Sequence, residues 1–340
     1  MSRKILKTIS RALHTISALL ALAAAASAND SVAEFKTGTL VFLYTDKVEM
    51  SEEDLFISMD EVRVDYVFTN KTDKDVETVV AFPMPDLQGS HGVLLNDPEA
   101  DNFVGFTVTQ DGNAISPNLE QHVLAGGIDH TDELRQAKVP LLPYSDKTPT
   151  AIAALPDATR KDWVSKGLVW EEPDYSGKET RRQYIPLWTL RSTYWWKTTF
   201  PAGKTVRVSH RYKPGVGGNS GIWFVEDGKT TDAFKDYSTR YCMDDAFLKT
   251  ATKLSHGTSG KDPFYTEKRL SYILTTGAHW GGTIGKFKLT IDKGKPENYL
   301  SFCGDGVKKT GPTTFVMEKT DFYPAKDLDI LILFDEGVAQ

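Results

Sequence analysis

The feature that most restricts the fold of this chain is a repeated alternation of apolar and polar side chains. In residues 62–68, VRVDYVF, every second side chain is apolar, and after a polar turn the alternation returns in residues 76–82. A period of two is that of a strand with one buried face, so the pattern predicts an antiparallel hairpin here. It is expected to end at Pro83, because proline lacks the donor that a ladder needs.

The same period predicts strands in most of the remaining chain, most clearly in residues 205–212 and 328–334. Between residues 124 and 178 the alternation stops and prolines cluster, which predicts short helices, one of them with Asp157 as its N-cap. Another helix is predicted at residues 245–252.

These patterns predict a mainly β protein, with two antiparallel β-sandwich, immunoglobulin-like lobes and a short helical insert. The predicted divisions are residues 29–123 for the N-terminal lobe, 124–180 for the insert and 181–340 for the C-terminal lobe.

The chain begins with the three parts of an export signal. Four basic residues precede an apolar run, and Ala26-Ser27-Ala28 is the small-residue pattern that signal peptidases accept. The run at residues 16–26 is shorter than the roughly 20 residues of a spanning helix, so a retained membrane anchor is the weaker interpretation. We therefore predict that residues 1–28 are a signal peptide cleaved after Ala28.

Charge restricts the class of partner. Loss of residues 1–28 removes four positive charges and changes the formal charge from −6 to −10. Nucleic acids and anionic headgroups attract basic surfaces, so neither is an expected partner. No segment after the signal is predicted to span a membrane.

The two cysteines, Cys242 and Cys303, are predicted to form a disulfide, because a pair of cysteines in an exported chain is usually oxidised. The alternative is a reactive Cys242, since it precedes a predicted helix start that would lower a thiol pKa. No histidine or asparagine stands in a recognisable nucleophile motif beside it.

Several segments carry a resemblance to a known family. They are NDSVAE at residues 29–34, the strand 62–68 leading to AFPMP at 81–85, FPAGK at 200–204 running into HRYKP at 210–214, LTTGAHW at 274–280 and SFC at 301–303. Together they resemble the domain of unknown function 4424, a family of exported bacterial proteins, over nearly the whole mature chain. The resemblance implies a periplasmic, β-rich protein. The family has no established activity, so no site residues follow from it.

Local signatures of common catalytic and metal sites are missing from the sequence. There is no Gly-x-Ser-x-Gly elbow, no His-Glu-x-x-His, no phosphate loop and no Gly-x-Gly-x-x-Gly. We therefore predict no catalytic residue, no metal site and no cofactor. His210 is interpreted as a hydrogen-bonded core histidine. The acidic run Glu49, Glu52, Glu53 and Asp54 lacks the spacing of a calcium loop and is interpreted as a solvated loop or strand edge.

Aromatic residues form the most unusual concentration. Trp188, Tyr194, Trp195, Trp196 and Trp223 are the candidate ligand-binding residues, because indole and phenol rings stack on sugars and anchor protein partners. The other interpretation is that they pack the two lobes together. The glycine-rich segment 215–221 is either a loop that closes over a ligand or a long hairpin connection.

Two functions remain open from the sequence. The first is a non-enzymatic periplasmic binding or interaction protein that uses the aromatic surface, with an envelope glycan or a periplasmic protein as its partner. The second is an envelope-polymer hydrolase whose carboxylates are assembled from distant segments.

Overall fold

A computed structural model describes residues 29–36, 39–90, 92–174, 181–255 and 264–337. The predicted signal peptide and its cleavage site lie outside these residues. Within them the chain is mainly β with few helices, as the alternation predicts. None of the helices in these ranges is long and apolar enough to cross a membrane.

The strands of the first half of the chain are β1 (Ser31–Lys36), β2 (Thr39–Leu43), β3 (Val48–Ile57), β4 (Val62–Asn70), β5 (Val76–Pro83), β6 (Leu87–Gln88), β7 (Val93–Leu94), β8 (Thr107–Gln110), β9 (Asn113–Ile115), β10 (Asn118–Ala125), β11 (Ile128–Asp129) and β12 (Val169–Asp174). The second half contributes β13 (Arg181–Pro186), β14 (Thr189–Phe200), β15 (Thr205–Tyr212), β16 (Val216–Asn219), β17 (Val225–Glu226), β18 (Lys229–Thr230), β19 (Tyr265–Tyr272), β20 (Ile284–Asp292), β21 (Tyr299–Phe302), β22 (Lys308–Lys309), β23 (Thr314–Phe322) and β24 (Leu328–Asp335).

The helices are α1 (Thr131–Gln136), α2 (Lys147–Ala153), α3 (Asp157–Ser165), α4 (Phe234–Tyr241) and α5 (Asp245–Leu254), with a 3₁₀-helix at Thr275–His279. The first three lie in the predicted insert. Asp157 is the first residue of α3 rather than its N-cap, which is Pro156. The helix predicted at residues 245–252 is confirmed as α5, where the side chain of Asp244 accepts a hydrogen bond from the Phe247 amide at 2.7 Å.

Three larger sheets are formed. The 7-stranded sheet has the order β11-β10-β14-β5-β1-β2, with β6 also on β14; the 8-stranded sheet has the order β22-β23-β20-β3-β4-β15-β8-β9; the 5-stranded sheet has the order β21-β24-β19-β16-β7. The main core is built from side chains of all three sheets, and a smaller core lies where α5 packs on β17 and α4 on β24.

The 8-stranded sheet joins the two ends of the chain. β3 and β20 pair in parallel, with Leu55 opposite Leu289, whereas their outer neighbours β4 and β23 run antiparallel to them. Strands of the two predicted lobes therefore belong to one sheet. The division into residues 29–123 and 181–340 stays a prediction about folding units.

The predicted hairpin of β4 and β5 is wrong, although both strands exist. β4 pairs with β3 and β15 in the 8-stranded sheet, whereas β5 pairs with β1 and β14 in the 7-stranded sheet. Their apolar side chains, among them Tyr66, Phe68, Val80 and Phe82, are buried in the same core. The turn between them carries the chain across that core from one sheet to the other.

The disulfide between Cys242 and Cys303 is confirmed. Cys242 follows α4 directly in the left-handed conformation, and Cys303 follows β21. The bond thus fastens α4 to the 5-stranded sheet over the smaller core.

Candidate functional site

A cleft is present where two strands from different sheets end near prolines. β5 ends at Pro83 and continues as Met84 and Pro85, while β15 ends at Tyr212, two residues before Pro214. Because proline has no backbone N–H, Pro83, Pro85 and Pro214 donate no ladder hydrogen bond. The two segments form two walls of the cleft, and residues of β7, β16 and β19 in the 5-stranded sheet complete it. We name it the Tyr212 cleft.

The Tyr212 cleft combines an apolar lining with guanidinium groups. Its volume is about 290 Å³, near the lower end of the range for small-molecule sites. The apolar lining residues include Met84, Leu87, Val93, Leu95 and Phe103, and the polar ones include Asp86, Arg240, Arg269 and Ser271. Such a lining suits a small ligand with an apolar body and a polar end.

The charged groups of the cleft leave guanidinium donors available. Arg240 donates from Nη2 to Asp329 at 2.7 Å. Arg269 donates from Nη1 to the Tyr237 hydroxyl at 2.7 Å and from Nη2 to Asn219 Oδ1 at 3.3 Å, and its Nη1 lies 3.8 Å from the buried Glu267 carboxylate. A guanidinium carries five donors, so both keep capacity for a carboxylate. Asp86, the carboxylate in the lining, is already paired with Arg191 at 2.9 Å.

The glycine-rich segment beside the cleft is strand rather than loop. Residues 216–219 form β16, which pairs with β19 and β7. A Cβ added at Gly215 would lie 2.9 Å from Val93 Cγ1, and one at Gly218 would lie 2.7 Å from the Glu267 carbonyl oxygen. Glycine is needed here because neighbouring strands approach closely.

The predicted aromatic residues do not lie in this cleft. Trp188, Tyr194 and Trp196 are buried in the main core, where Trp188 donates to the Leu141 carbonyl at 2.8 Å. Trp195 points to the opposite side of β14 from Trp196, as strand alternation requires. It is partly exposed, and its ring packs against Phe35 with centroids 4.8 Å apart.

Trp223 is the most exposed of the five, at 61%. Its backbone is nevertheless fixed, because its amide donates at 2.7 Å to the buried carboxylate of Glu267, which also accepts from the Tyr237 hydroxyl at 2.8 Å. Burial raises the pKa of Glu267, and these hydrogen bonds oppose that rise. A buried carboxylate therefore holds an exposed indole at the surface.

A second concavity lies on the outer face of the 8-stranded sheet, with a volume of about 670 Å³. Its charges pair with one another: Lys286 contacts Glu52 at 2.9 Å and Lys288 contacts Asp54 at 2.8 Å. Asp65 is opposite Asp54 in the register and accepts from Ser209 at 2.5 Å. Lys286 and Lys288 are therefore both engaged by carboxylates in this concavity.

The acidic run at residues 49–54 is not a solvated edge throughout. β3 lies inside the 8-stranded sheet, and strand alternation turns Glu52 and Asp54 outward while Glu53 is buried. Glu53 belongs to an enclosed polar group that we name the Asn29 cluster. Its members are Asn29, Asp30, Glu53, Tyr66, His210, Tyr272 and Thr276.

Hydrogen bonds connect the Asn29 cluster across the main core. Asn29 donates from Nδ2 to Glu53 at 3.1 Å and accepts at Oδ1 from the Tyr66 hydroxyl. Asp30 lies 3.1 Å from Nε2 of His210, which confirms the interpretation of His210 as a hydrogen-bonded core residue. Neither Glu53 Oε1 nor Asp30 Oδ1 has a hydrogen-bond partner among the described residues.

Enclosure perturbs the ionisation of the cluster. Burial raises the pKa of Glu53 to about 8, with the Asn29 hydrogen bond opposing and the charge of Asp30 adding to the rise. Burial likewise raises the pKa of Asp30, and His210 opposes it. A perturbed carboxyl can indicate a functional site, but here both carboxylates lie within the core.

Gly277 leaves the space that Asn29 occupies. A Cβ at this position would lie 2.6 Å from Nδ2 of Asn29, so we expect Gly277→Ala to lower the free energy of unfolding by about 1–3 kcal/mol through overpacking. Urea denaturation measures the change. Gly92→Ala is the control, because nothing lies within 4 Å of a Cβ there. Equal stability of the two variants would contradict the tight fit.

Sequence reasoning missed both the Tyr212 cleft and the Asn29 cluster. Their residues come from segments far apart in the chain, and only tertiary pairing brings them together. Two local signals were present: the Pro83-Met84-Pro85 turn and the glycines at 215–218. Proline ends a ladder and glycine allows close backbone approach, and both segments lie in or beside the cleft.

Comparison with known proteins identifies the family. The model of the domain of unknown function DUF4424 matches residues 28–331, so the chain belongs to this family. None of the curated proteins compared with the chain matches it. A candidate nutrient binding protein from Legionella pneumophila is similar to it in structure, with a TM-score of 0.43 and 15% identity over 91% of this chain and 70% of that one. That similarity is too low to support an inference about function.

Proposed function

We propose that the protein is exported to the periplasm, is cleaved after Ala28, and acts there without catalysis as a binding protein for a small carboxylate with an apolar body. The observation that carries this proposal is the Tyr212 cleft, where guanidinium donors of Arg240 and Arg269 border an apolar lining. A planar guanidinium matches a carboxylate with two parallel hydrogen bonds.

Export is supported by the composition of residues 1–28 and by the disulfide, which persists in an oxidising compartment. The predicted aromatic surface contributes less to the proposal. The rings of Trp188, Tyr194 and Trp196 are enclosed, so Trp195 and Trp223 are the two of the five that a glycan or protein partner could contact in this conformation.

The hydrolase alternative has weaker support. Folding does bring Asp30 and Glu53 together from distant segments, but both are enclosed and no polymer could reach them in this conformation. Asp54 and Asp65 face each other on the outer sheet surface, where solvent reaches both. Each already has a polar partner, since Asp54 pairs with Lys288 at 2.8 Å and Asp65 accepts from the Ser209 hydroxyl at 2.5 Å.

Ligand binding is tested by thermal denaturation with hexanoate and benzoate, and with hexanamide and benzamide as uncharged controls. We expect the acids to raise the Tm and the amides to leave it unchanged, because ligand bound only to the folded state stabilises it. In Arg240→Gln the affinity for the acids should fall by about 10-fold or more, as for a lost charged hydrogen bond.

Arg211→Gln is the matched control, since Arg211 is an exposed arginine that lies 3.7 Å from Glu61 and outside the cleft. It should bind the acids as the unaltered protein does. Equal loss in both variants, or equal shifts with acids and amides, would argue against recognition of a carboxylate in the cleft.

A further inference from the structure

Residue 29 is enclosed to an unusual degree for a position next to a predicted cleavage site. Asn29, Asp30 and Ser31 are each 0% exposed. New chain ends normally lie at the surface and are poorly ordered unless they are tied down. Here the Asn29 amide donates to Thr276 Oγ1, and the same hydroxyl donates back to the Asn29 carbonyl at 2.6 Å.

The surroundings of Asn29 are short of positive charge. They hold two buried carboxylates, Asp30 and Glu53, and one imidazole, His210, which lies against Asp30. Glu53 receives only the uncharged Nδ2 of Asn29, and its Oε1 has no hydrogen-bond partner in the part of the chain that the structure describes. A buried carboxylate without a cation or full hydrogen bonding is costly.

We infer that cleavage after Ala28 creates an α-ammonium group on Asn29 that stays inside the core and pairs with the carboxylate of Glu53. The inference rests on the proposed export and cleavage. Removal of the signal would then complete the charge balance of the Asn29 cluster.

The chemistry of the new group fits the position. An ordinary peptide nitrogen supplies one donor, which goes to Thr276. An ammonium supplies three donors and a full charge, so it keeps that bond and has two donors left. The residue that carries it already contacts Glu53 through its side chain, at 3.1 Å. Cleavage thus changes Glu53 from a carboxyl best kept protonated to one best kept ionised.

The two forms should differ in how their stability changes between pH 5 and pH 7.5. Without the ammonium, Glu53 has a folded pKa of about 8 against an ordinary 4.5, so the folded state binds the extra proton and stability falls as pH rises from about 5 to 8. With the ammonium, the carboxylate is ionised in the folded state, and that fall should vanish. Other titratable groups of the cluster and its border are Asp30, His210, Tyr66, Tyr212, Tyr272 and His279.

The test uses two chain starts, each released from a fusion so that no foreign residue remains. One begins at Asn29, and the other begins at Ala26 and so places its amine three residues away. Each is made with Glu53 and with Glu53→Gln, and the Tm of all four is measured from pH 5 to pH 9. The other titratable groups are common to the four proteins and cancel in the comparison.

With Glu53 present, the Asn29 start should melt several degrees above the Ala26 start at pH 7.5, and between pH 5 and pH 7.5 only the Ala26 start should lose stability as pH rises. Above about pH 8 the Asn29 start should lose stability as well, because its ammonium group then deprotonates. In Glu53→Gln the two starts should melt together. Glu52→Gln is the matched control on the outward face of β3 and should leave the difference intact. Equal melting of the two starts with Glu53, or an undiminished difference with Gln, would overturn the ion pair.

A second measurement needs no substitution at Glu53, so it does not depend on whether Glu53→Gln folds. Acetylation by a water-soluble reagent at pH 7 should modify the amine of the Ala26 start and leave the Asn29 amine unmodified, as read by mass spectrometry. Rapid modification of Asn29 would overturn the inference. The mass of the protein recovered after export tests cleavage separately, and an N-terminal residue other than Asn29 would refute the proposed processing. If the N-terminal residue is Asn29 but the four melting temperatures contradict the expectation, only the ion pair with Glu53 is refuted.

Discussion

Replacing Cys242 and Cys303 together by serine is expected to lower the free energy of unfolding by about 4 kcal/mol. The bond joins residues 61 apart in the chain, and a crosslink across so long a loop removes much of the conformational freedom of the unfolded state. The loss should be measured by guanidinium denaturation of the oxidised protein and the double variant.

Reduced, unaltered protein is the control for this prediction, because it lacks the bond but keeps both sulfur atoms. It should unfold at the same denaturant concentration as C242S/C303S. If the variant matched the oxidised protein instead, the bond would contribute nothing to stability.

The disulfide also affects the cleft. Arg240 and Tyr241 line the Tyr212 cleft and immediately precede Cys242, so the bond holds the end of α4 where these side chains line the cleft. Binding of hexanoate or benzoate should therefore weaken in C242S/C303S even under conditions where the variant remains folded.

The features that the sequence predicts correctly depend on local chemistry. Two cysteines allow a single pairing, and the helix predicted at residues 245–252 begins beside Asp244, whose contact with the Phe247 amide spans only three residues. The strands themselves follow from alternation, which every strand with one buried face must show. Location of the helices in residues 124–180 follows from the loss of that alternation.

What the sequence could not predict depends on which strands become neighbours. The alternation of apolar and polar residues indicates that one face of β4 and one face of β5 are buried. The same pattern arises whether the two strands pair side by side in one sheet or face each other across a core. Once β4 and β5 are wrongly paired as a hairpin, neither the Tyr212 cleft nor the Asn29 cluster can be predicted. The Tyr212 cleft lies where the ends of β5 and β15 meet β19, and these three strands belong to three different sheets. The Asn29 cluster likewise joins side chains of two sheets, with β3, β4 and β15 in one and β19 in another.

Glu53 illustrates the same limit at one residue. Within the sequence it is one of several acidic side chains in residues 49–54, and a charged run is usually solvated. Counted back from Leu55, the period of two places Glu53 on the buried face. An irregularity in the register between Met50 and Glu52 brings Met50 to the same face. Such a bulge changes which face a residue takes, and no local rule located it.

The second large effect is expected at Phe82, whose replacement by alanine should lower the free energy of unfolding by about 3–5 kcal/mol. Phe82 is fully buried on β5 in the 7-stranded sheet. Its ring stacks on His210 of β15 with centroids 4.9 Å apart, and lies 6.3 Å from Tyr272 of β19. A single ring thus contacts side chains of all three large sheets.

Phe264→Ala is the matched control, because Phe264 is 44% exposed and its loss should cost less than about 1 kcal/mol. Circular dichroism and tryptophan fluorescence during urea denaturation should follow one common transition in Phe82→Ala, shifted to lower urea. The reason is that removal of a ring shared by three sheets weakens all of them together. Two separate transitions, with only one shifted, would mean that residues 29–123 and 181–340 unfold as independent lobes and that the contacts of Phe82 do not couple them.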